Sequence, residues 1–120
     1  MAHILAVDDS RSMRQMVTFT LQAAGHQITE AEDGQQAYDI AQTGQFDLVL
    51  ADVNMPRMDG ISLVKKLREL PAFKFTPILM LTTEAGSDKK TEGRSAGATG
   101  WIVKPFNPDQ LLSTISRVLG

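Results

Sequence analysis

Three acidic side chains of this sequence follow directly after apolar runs, where strands are expected to end. Residues 4–7 lead into Asp8 and Asp9, and residues 48–51 lead into Asp52. Two like unit charges about 4 Å apart repel by about 4 kcal/mol at an effective dielectric constant of about 20. Carboxylates brought together therefore need a proton or a cation. Oxygen ligands without cysteine or histidine favour a hard divalent ion, Mg²⁺ or alternatively Mn²⁺.

Two later apolar runs end in side chains that complement such a site. Thr82 and Thr83 follow residues 78–81, and Lys104 follows residues 101–103. A cation, an ammonium and a hydroxyl around one carboxylate favour transfer of a phosphoryl group to it, because such catalysis is mostly positioning and charge neutralisation. The plainer alternative is that each polar side chain only caps a strand or starts a turn. The convergence of four strand ends on one chemistry favours a site.

These side chains meet only if a parallel sheet gathers the strand ends. Short apolar runs alternate with amphipathic helical patterns; the runs are residues 4–7, 28–29, 48–51, 78–81 and 101–103. Helix starts are indicated by Asp33 with Gln36 and by Asn107–Pro108 with Gln110, and a helix end by Gly25. The pattern predicts an α/β fold: a doubly wound, five-stranded parallel sheet with helices on both faces and a site beyond the carboxyl ends of its strands.

The crossover before the last run is the least regular part of the pattern. It must return the chain to the last strand, so we expect a helix near residues 87–96. The segment is nevertheless very polar, and Gly93 disfavours a helix interior by about 1 kcal/mol relative to alanine.

Length and composition narrow the class of protein. The 120 residues suit one domain over residues 1–120, without a separate output domain. A net charge of -2 does not indicate the basic surface that binds nucleic acid. No apolar run approaches the roughly 18 residues that a membrane span requires. The absence of cysteine excludes disulfides, thiolate metal sites and cysteine nucleophiles. We expect a cytoplasmic monomer, in which His3 and His26 have no evident partners.

Four short motifs make the sequence resemble a known family. "VDDS", "DVNMPRMDG", "LTTEA" and "VKPF" occur in the order and spacing of response-regulator receiver domains. The resemblance covers the whole chain and is strongest to the single-domain chemotaxis regulators of that family. It implies a flavodoxin-like sheet with strand order 2-1-3-4-5.

The resemblance also assigns roles at the acidic strand ends. It implies that Asp52 accepts the phosphoryl group. Asp8 and Asp9 correspond to the acid pair that holds Mg²⁺, with Asp9 the more direct ligand. The backbone carbonyl of Asn54 is expected to complete the protein ligands, with Asp52 itself.

The later motifs supply the remaining roles. Lys104 corresponds to the lysine that pairs with the phosphoryl oxygens, and a cis bond to Pro105 would aim its ammonium. Thr82 corresponds to the switch hydroxyl that moves toward the phosphate. Trp101 stands at the family's aromatic switch position, although plain core packing is the alternative for a tryptophan on a strand.

Three residues are expected to tune the lifetime of the phosphate. Asn54 and Glu84 stand two positions after the acceptor and two after the switch threonine, where the family adjusts dephosphorylation. Thr83 departs from the family, which commonly has alanine or glycine there. The hypothesis is that its bulk shields the phosphoryl group from water. The alternative for Asn54 and Glu84 is that they are only exposed turn residues.

The function that the resemblance implies is a signalling switch and not an enzyme with turnover beyond its own phosphorylation and dephosphorylation. A histidine kinase, of the chemotaxis type, would phosphorylate Asp52 and thereby change binding to a protein target such as the flagellar motor switch. A phosphorelay intermediate or a phosphate-sink receiver is the alternative.

Two other classes fit the residues less well. A phosphatase with an aspartyl-phosphate intermediate usually has a second aspartate two residues after the nucleophile, where this chain has Asn54. A flavin or nucleotide carrier needs a phosphate loop rich in Gly, Ser and Thr after the first strand, where this chain has "VDDSRS".

Overall fold

The computed structural model describes residues 2–53, 55, 58–82, 94–104 and 106–119. Strands and helices alternate along the chain. Their bounds are β1 His3–Val7, α1 Arg11–Ala23, β2 Gln27–Ala31, α2 Gly34–Thr43, β3 Leu48–Asp52, α3 Gly60–Glu69, a 3-10 turn at Pro71–Phe73, β4 Ile78–Thr82, β5 Gly100–Val103 and α4 Pro108–Leu119. Residues 94–96 are also helical. The helix expected near residues 87–96 otherwise lies outside the described residues.

The strands form one parallel sheet in the order β2-β1-β3-β4-β5. The predicted doubly wound order 2-1-3-4-5 is thus confirmed. All five residues of β3 and of β4 are buried, as expected for strands covered on both faces. Because parallel strands end at one edge, the sheet carries the residues after β1, β3, β4 and β5 to the same side of the molecule.

Helices cover both faces of the sheet. One core cluster contains Leu5 and Val49 of the sheet together with residues of α2 and α3, and the other contains Ile4 and Leu50 with residues of α1 and α4. The alternation of neighbouring strand residues between the two clusters follows from the two-residue period of a strand.

Local side chains start and stop the helices where the sequence predicts. Asp33 accepts from the amide of Gln36 at 2.8 Å. Asn107 and Gln110 form a reciprocal pair, in which each side chain accepts from the other's amide, at 2.8 and 3.0 Å. Gly25 ends the first helix with φ of 95°, a left-handed conformation that favours glycine.

The amino-terminal edge of the sheet corrects one expectation from the sequence. His26 accepts a hydrogen bond from the amide of Ala2 at 3.2 Å. The ring of His3 is 2.8 Å from the Thr29 hydroxyl and its centroid is 4.4 Å from that of Phe46. The expectation that these histidines lack partners was wrong, because their partners come from neighbouring strands and loops that the pattern does not align.

Candidate functional site

Three carboxylates meet at the carboxyl-terminal edge of the sheet. Asp8 and Asp9 follow β1, and Asp52 is the last residue of the adjacent β3. One carboxylate oxygen from each lies within 4.8 Å of the other two. Asp8 and Asp52 are only 3% and 7% exposed, whereas Asp9 is exposed. The cluster is therefore open to solvent on the side of Asp9.

Lys104 brings a positive charge into this cluster. Its Nζ atom lies 3.0 Å from Oδ1 of Asp52 and 3.3 Å from Oδ2 of Asp8. The Lys104 side chain is 12% exposed, so water screens these ion pairs less than it screens surface pairs. Three carboxylates against one ammonium leave an excess of two negative charges when all are ionised. This excess and the oxygen-only donors fit a hard divalent cation such as Mg²⁺.

Burial and charge move the pKa values of the central pair. Burial raises the pKa of Asp52, and the charges of Asp8 and Asp9 raise it further, so that the lowering by Lys104 is outweighed. Burial lowers the pKa of Lys104, but its hydrogen bond and charge pairing with Asp52, together with Asp8, outweigh burial and hold that pKa above its usual value. Lys104 thus stays an ammonium at neutral pH.

The backbone fixes Thr82 and Lys104 relative to each other. Thr82, the last residue of β4, is fully buried and lies in register with Val103 of β5. Its carbonyl accepts from the amide of Lys104 at 2.7 Å. On the other side of β4, the amide of Val53 donates to the carbonyl of Leu81 at 2.9 Å. The ends of β3, β4 and β5 are thereby connected.

A glycine holds the end of β3 close to helix α3. The amide of Gly60 donates to the carbonyl of Val53 at 2.9 Å. A Cβ atom at this position would collide with the carbonyl oxygen of Asp52 and with the terminal methyl of Met80. Position 60 therefore requires glycine, because only glycine lets α3 come this close to the end of β3. The motif shows that a glycine is present but not which atoms require it.

Trp101 lies between the core and the surface. It is half-buried on β5, in register with Met80, and packs against the core cluster beneath α2 and α3. This placement fits both core packing and a switch role. Asn54, Thr83, Glu84 and Pro105 lie outside the described residues, so their proposed roles stay predictions.

Two residues beside the acid pair were missed by reasoning from the sequence. Arg14 of α1 donates from Nη1 to the backbone carbonyl of Asp8 at 2.8 Å, and from Nε to Glu30 of β2 at 3.0 Å. The signal that the sequence offers for Arg14 is its position in the first turn of the helix after the acid pair. Its partner cannot be read from the pattern, since a backbone carbonyl is present at every residue.

Comparisons with known proteins agree with this geometry. A family model of the response regulator receiver domain matches residues 4–116. A chemotaxis protein CheY homologue of Campylobacter jejuni is 40% identical over 119 residues, which are 98% of this chain and 92% of that protein. The structure of chemotaxis protein CheY4 of Vibrio cholerae has 57% sequence identity and a TM-score of 0.96 over 98% of each chain.

A third similar protein carries a metal. The receiver domain of a sensor histidine kinase from Pseudomonas aeruginosa was solved with a magnesium ion coordinated in its active site cleft. It has 28% sequence identity and a TM-score of 0.93, and the match covers 99% of this chain and 98% of that one.

The chain therefore belongs to the response regulator receiver domain family. Within this family it is a CheY-like receiver domain. Such domains are signalling proteins with an acidic pocket for Mg²⁺, and the aspartate cluster is where this chain could hold the ion. No helix in the described part of the chain has the length and apolar character that a membrane span requires.

Proposed function

We propose that this chain is a phosphorylation-dependent signalling switch in which Asp52 accepts a phosphoryl group from a histidine kinase. The observation that carries the proposal is the Lys104 ammonium 3.0 Å from Asp52 within a cluster of three carboxylates. Asp8, Asp9, Asp52 and the backbone carbonyl of Asn54 would hold Mg²⁺. When bound there, Mg²⁺ supplies positive charge that neutralises carboxylate and phosphoryl oxygens.

The residues of the chain position the transfer. One oxygen of ionised Asp52 forms a bond to phosphorus while the phosphorus–nitrogen bond of the phosphohistidine breaks, and its electron pair passes to the ring nitrogen. Lys104 donates hydrogen bonds to phosphoryl oxygens, since charge-assisted bonds of this kind are strong. Thr82 then donates its hydroxyl to the phosphoryl group, and Trp101 shifts with it.

Phosphorylation would act by changing the balance between two conformations. The similarity to chemotaxis proteins supports a kinase of the chemotaxis type. We also propose a motor-switch target and a single domain over residues 1–120 that acts as a cytoplasmic monomer. A phosphorelay or phosphate-sink role differs only in the partner.

The acceptor is tested by mass spectrometry after incubation with Mg²⁺ and a small phosphodonor such as acetyl phosphate. We expect the wild type to gain the mass of one phosphoryl group and Asp52→Asn to gain none. Asp47→Asn is the matched control, because Asp47 lies at the opposite edge of the sheet, and it should be modified like the wild type. Equal modification of Asp52→Asn would refute the acceptor assignment.

The partner is tested by a pull-down with and without beryllofluoride, which mimics the phosphoryl group. Recovery of a motor-switch protein only with the mimic supports chemotaxis, whereas recovery of a second phosphotransfer protein would favour a relay.

The lifetime roles of Asn54, Thr83 and Glu84 are tested by the decay of the acyl phosphate. Thr83→Ala should speed that decay, and an unchanged lifetime would exclude shielding by Thr83.

A further inference from the structure

The arginine of α1 next to the acid pair has no place in the function proposed above. The Arg14 side chain is 15% exposed, and its guanidinium reaches in two directions. Nη1 donates to the backbone carbonyl of Asp8 at 2.8 Å, and Nε donates to Oε1 of Glu30 at 3.0 Å. Glu30 lies on β2 in register with Ala6 of β1. Arg14 thus links α1, β2 and the loop that carries two of the three carboxylates.

The two acidic residues of this loop are held in different ways. The carboxylate of Asp8 has partners of its own: Oδ1 accepts from the amide of Ser10 at 2.9 Å, and Oδ2 pairs with Lys104 at 3.3 Å. The Asp8 amide also donates to the carbonyl of Ala31 at 3.1 Å. Within the described part of the chain, the carboxylate of Asp9 has no hydrogen-bond partner.

The direction of Asp9 therefore depends on its backbone. The carbonyl of Asp8 and the amide of Asp9 belong to one planar peptide unit. The hydrogen bond from Arg14 to that carbonyl therefore fixes the orientation of the whole peptide plane. The orientation of this plane in turn limits the directions in which the Asp9 side chain can point. Groups that orient metal ligands in this way commonly change metal affinity when they are removed.

We propose that Arg14 and Glu30 are positioning residues that orient the Asp8–Asp9 peptide for cation binding. Arg14 touches neither the cation nor the phosphoryl group and acts through the Asp8 carbonyl. Glu30 acts one step further away, by fixing the guanidinium. The inference rests on the proposed magnesium site at Asp8, Asp9 and Asp52.

The charges of the pair separate positioning from simple electrostatics. Removal of the Arg14 charge near an acidic cluster would by Coulomb's law strengthen cation binding, whereas removal of the Glu30 charge would weaken it. Positioning predicts that both losses weaken binding. Weaker Mg²⁺ binding by both variants therefore identifies orientation as the cause.

The experiment measures MgCl₂ binding by isothermal titration calorimetry in wild type, Arg14→Met, Arg14→Lys, Glu30→Gln and the double variant Arg14→Met/Glu30→Gln. Arg11→Met is the matched control, because Arg11 is exposed on the same helix. We expect Arg14→Met and Glu30→Gln to weaken Mg²⁺ binding, with a loss of about tenfold or more for Arg14→Met. Arg14→Lys should recover part of the affinity, and Arg11→Met should not weaken binding.

The double variant tests whether the two residues act through one link. Its loss should be smaller than the product of the two single losses, because contacting residues are not additive. Thermal unfolding in EDTA confirms that each variant is folded. Unchanged or stronger Mg²⁺ binding by Arg14→Met, with normal binding by the wild type, overturns this inference alone. A wild type that binds no Mg²⁺ overturns both the inference and the proposed metal site.

Discussion

The two edges of the sheet use polar side chains in opposite ways. At the amino-terminal edge, the residue just before one strand accepts a hydrogen bond from the start of a neighbouring strand. His26 accepts from the Ala2 amide at 3.2 Å, Asp47 from the His3 amide at 2.9 Å and Thr99 from the Ile78 amide at 3.0 Å. Each of these three side chains satisfies a main-chain donor.

At the carboxyl-terminal edge the charged side chains face one another. Asp8, Asp9 and Asp52 meet with Lys104 as a counter-charge, and burial raises the pKa of Asp52. Capping of main-chain donors thus describes His26, Asp47 and Thr99 at the amino-terminal edge. At the carboxyl-terminal edge, the three carboxylates carry more negative charge than Lys104 can balance. Such an excess of negative charge favours the binding of a cation.

The largest effect should follow from removing the counter-charge of the acidic edge. Lys104→Gln keeps a hydrogen-bond donor but loses the ion pairs with Asp52 and Asp8, so we expect phosphorylation by acetyl phosphate to slow by about 100-fold. Lys74→Gln, which removes a charge from the loop after the 3-10 turn, is the control and should retain the wild-type rate. Similar rates for the two variants would contradict a functional difference between the edges.

Close packing at the two edges can be compared through two glycines. Gly60→Ala forces a methyl group against the Asp52 carbonyl, so we expect a loss of about 1–3 kcal/mol in the free energy of unfolding and slower phosphorylation. In Gly44→Ala the methyl group would come closest to the Phe46 ring, and the nearest backbone atom, the Ile40 carbonyl oxygen, would be 3.2 Å away. This substitution should therefore cost less and leave phosphorylation unchanged. Urea denaturation gives both free energies, and a smaller loss for Gly60→Ala would contradict this account.

The pH dependence of stability should reveal the buried acid. Because the folded pKa of Asp52 lies above its ordinary value of 3.8, its protonated form favours folding. That contribution is complete below pH 3.8 and is lost as the pH rises through the folded pKa. Without Mg²⁺, Asp52→Asn should therefore be more stable than wild type at neutral pH, with a difference that shrinks toward pH 4. Chemical denaturation in EDTA between pH 4 and pH 7 measures this difference. If the attraction of Lys104 outweighed burial, Asp52→Asn would instead be less stable than wild type at neutral pH.

The smallest effect belongs to the amino-terminal edge. Thr99→Val removes the acceptor for the Ile78 amide, which should cost about 1 kcal/mol in the free energy of unfolding. The rate of phosphorylation should not change, since the substitution lies at the opposite edge. Thr114→Val, which removes a hydroxyl from an exposed position of α4, is the control and should cost less. A slower phosphorylation of Thr99→Val would show that the two edges are coupled.

The sequence predicts the features that local patterns encode. Apolar runs located the strands, and polar residues such as Asp33 and Asn107 located helix starts. Right-handed crossovers predict a parallel sheet, and parallel strands bring Asp8, Asp52 and Lys104 to one edge. The order of the strands was implied by the resemblance alone.

Contacts to the backbone could not be predicted in the same way. Arg14 binds the carbonyl of Asp8, and His26 binds the amide of Ala2, 24 positions away. Every residue offers such groups, so residue types do not reveal which one is chosen. The close approach of Gly60 to Asp52 depends on the path of the loop between β3 and α3, which a periodic pattern does not describe.

The two strands that carry the carboxylates, β1 and β3, are neighbours in the interior of the sheet, flanked by β2 on one side and β4 and β5 on the other. The carboxylates consequently lie at the middle of the carboxyl-terminal edge, away from the two outer strands β2 and β5. Under the function proposed above, substitutions on the outward-facing sides of the helices could change which kinase or target is recognised while the acidic edge stays intact. The same acidic edge could then work with different partners, because the residues that recognise a partner would not be the residues that hold the cation.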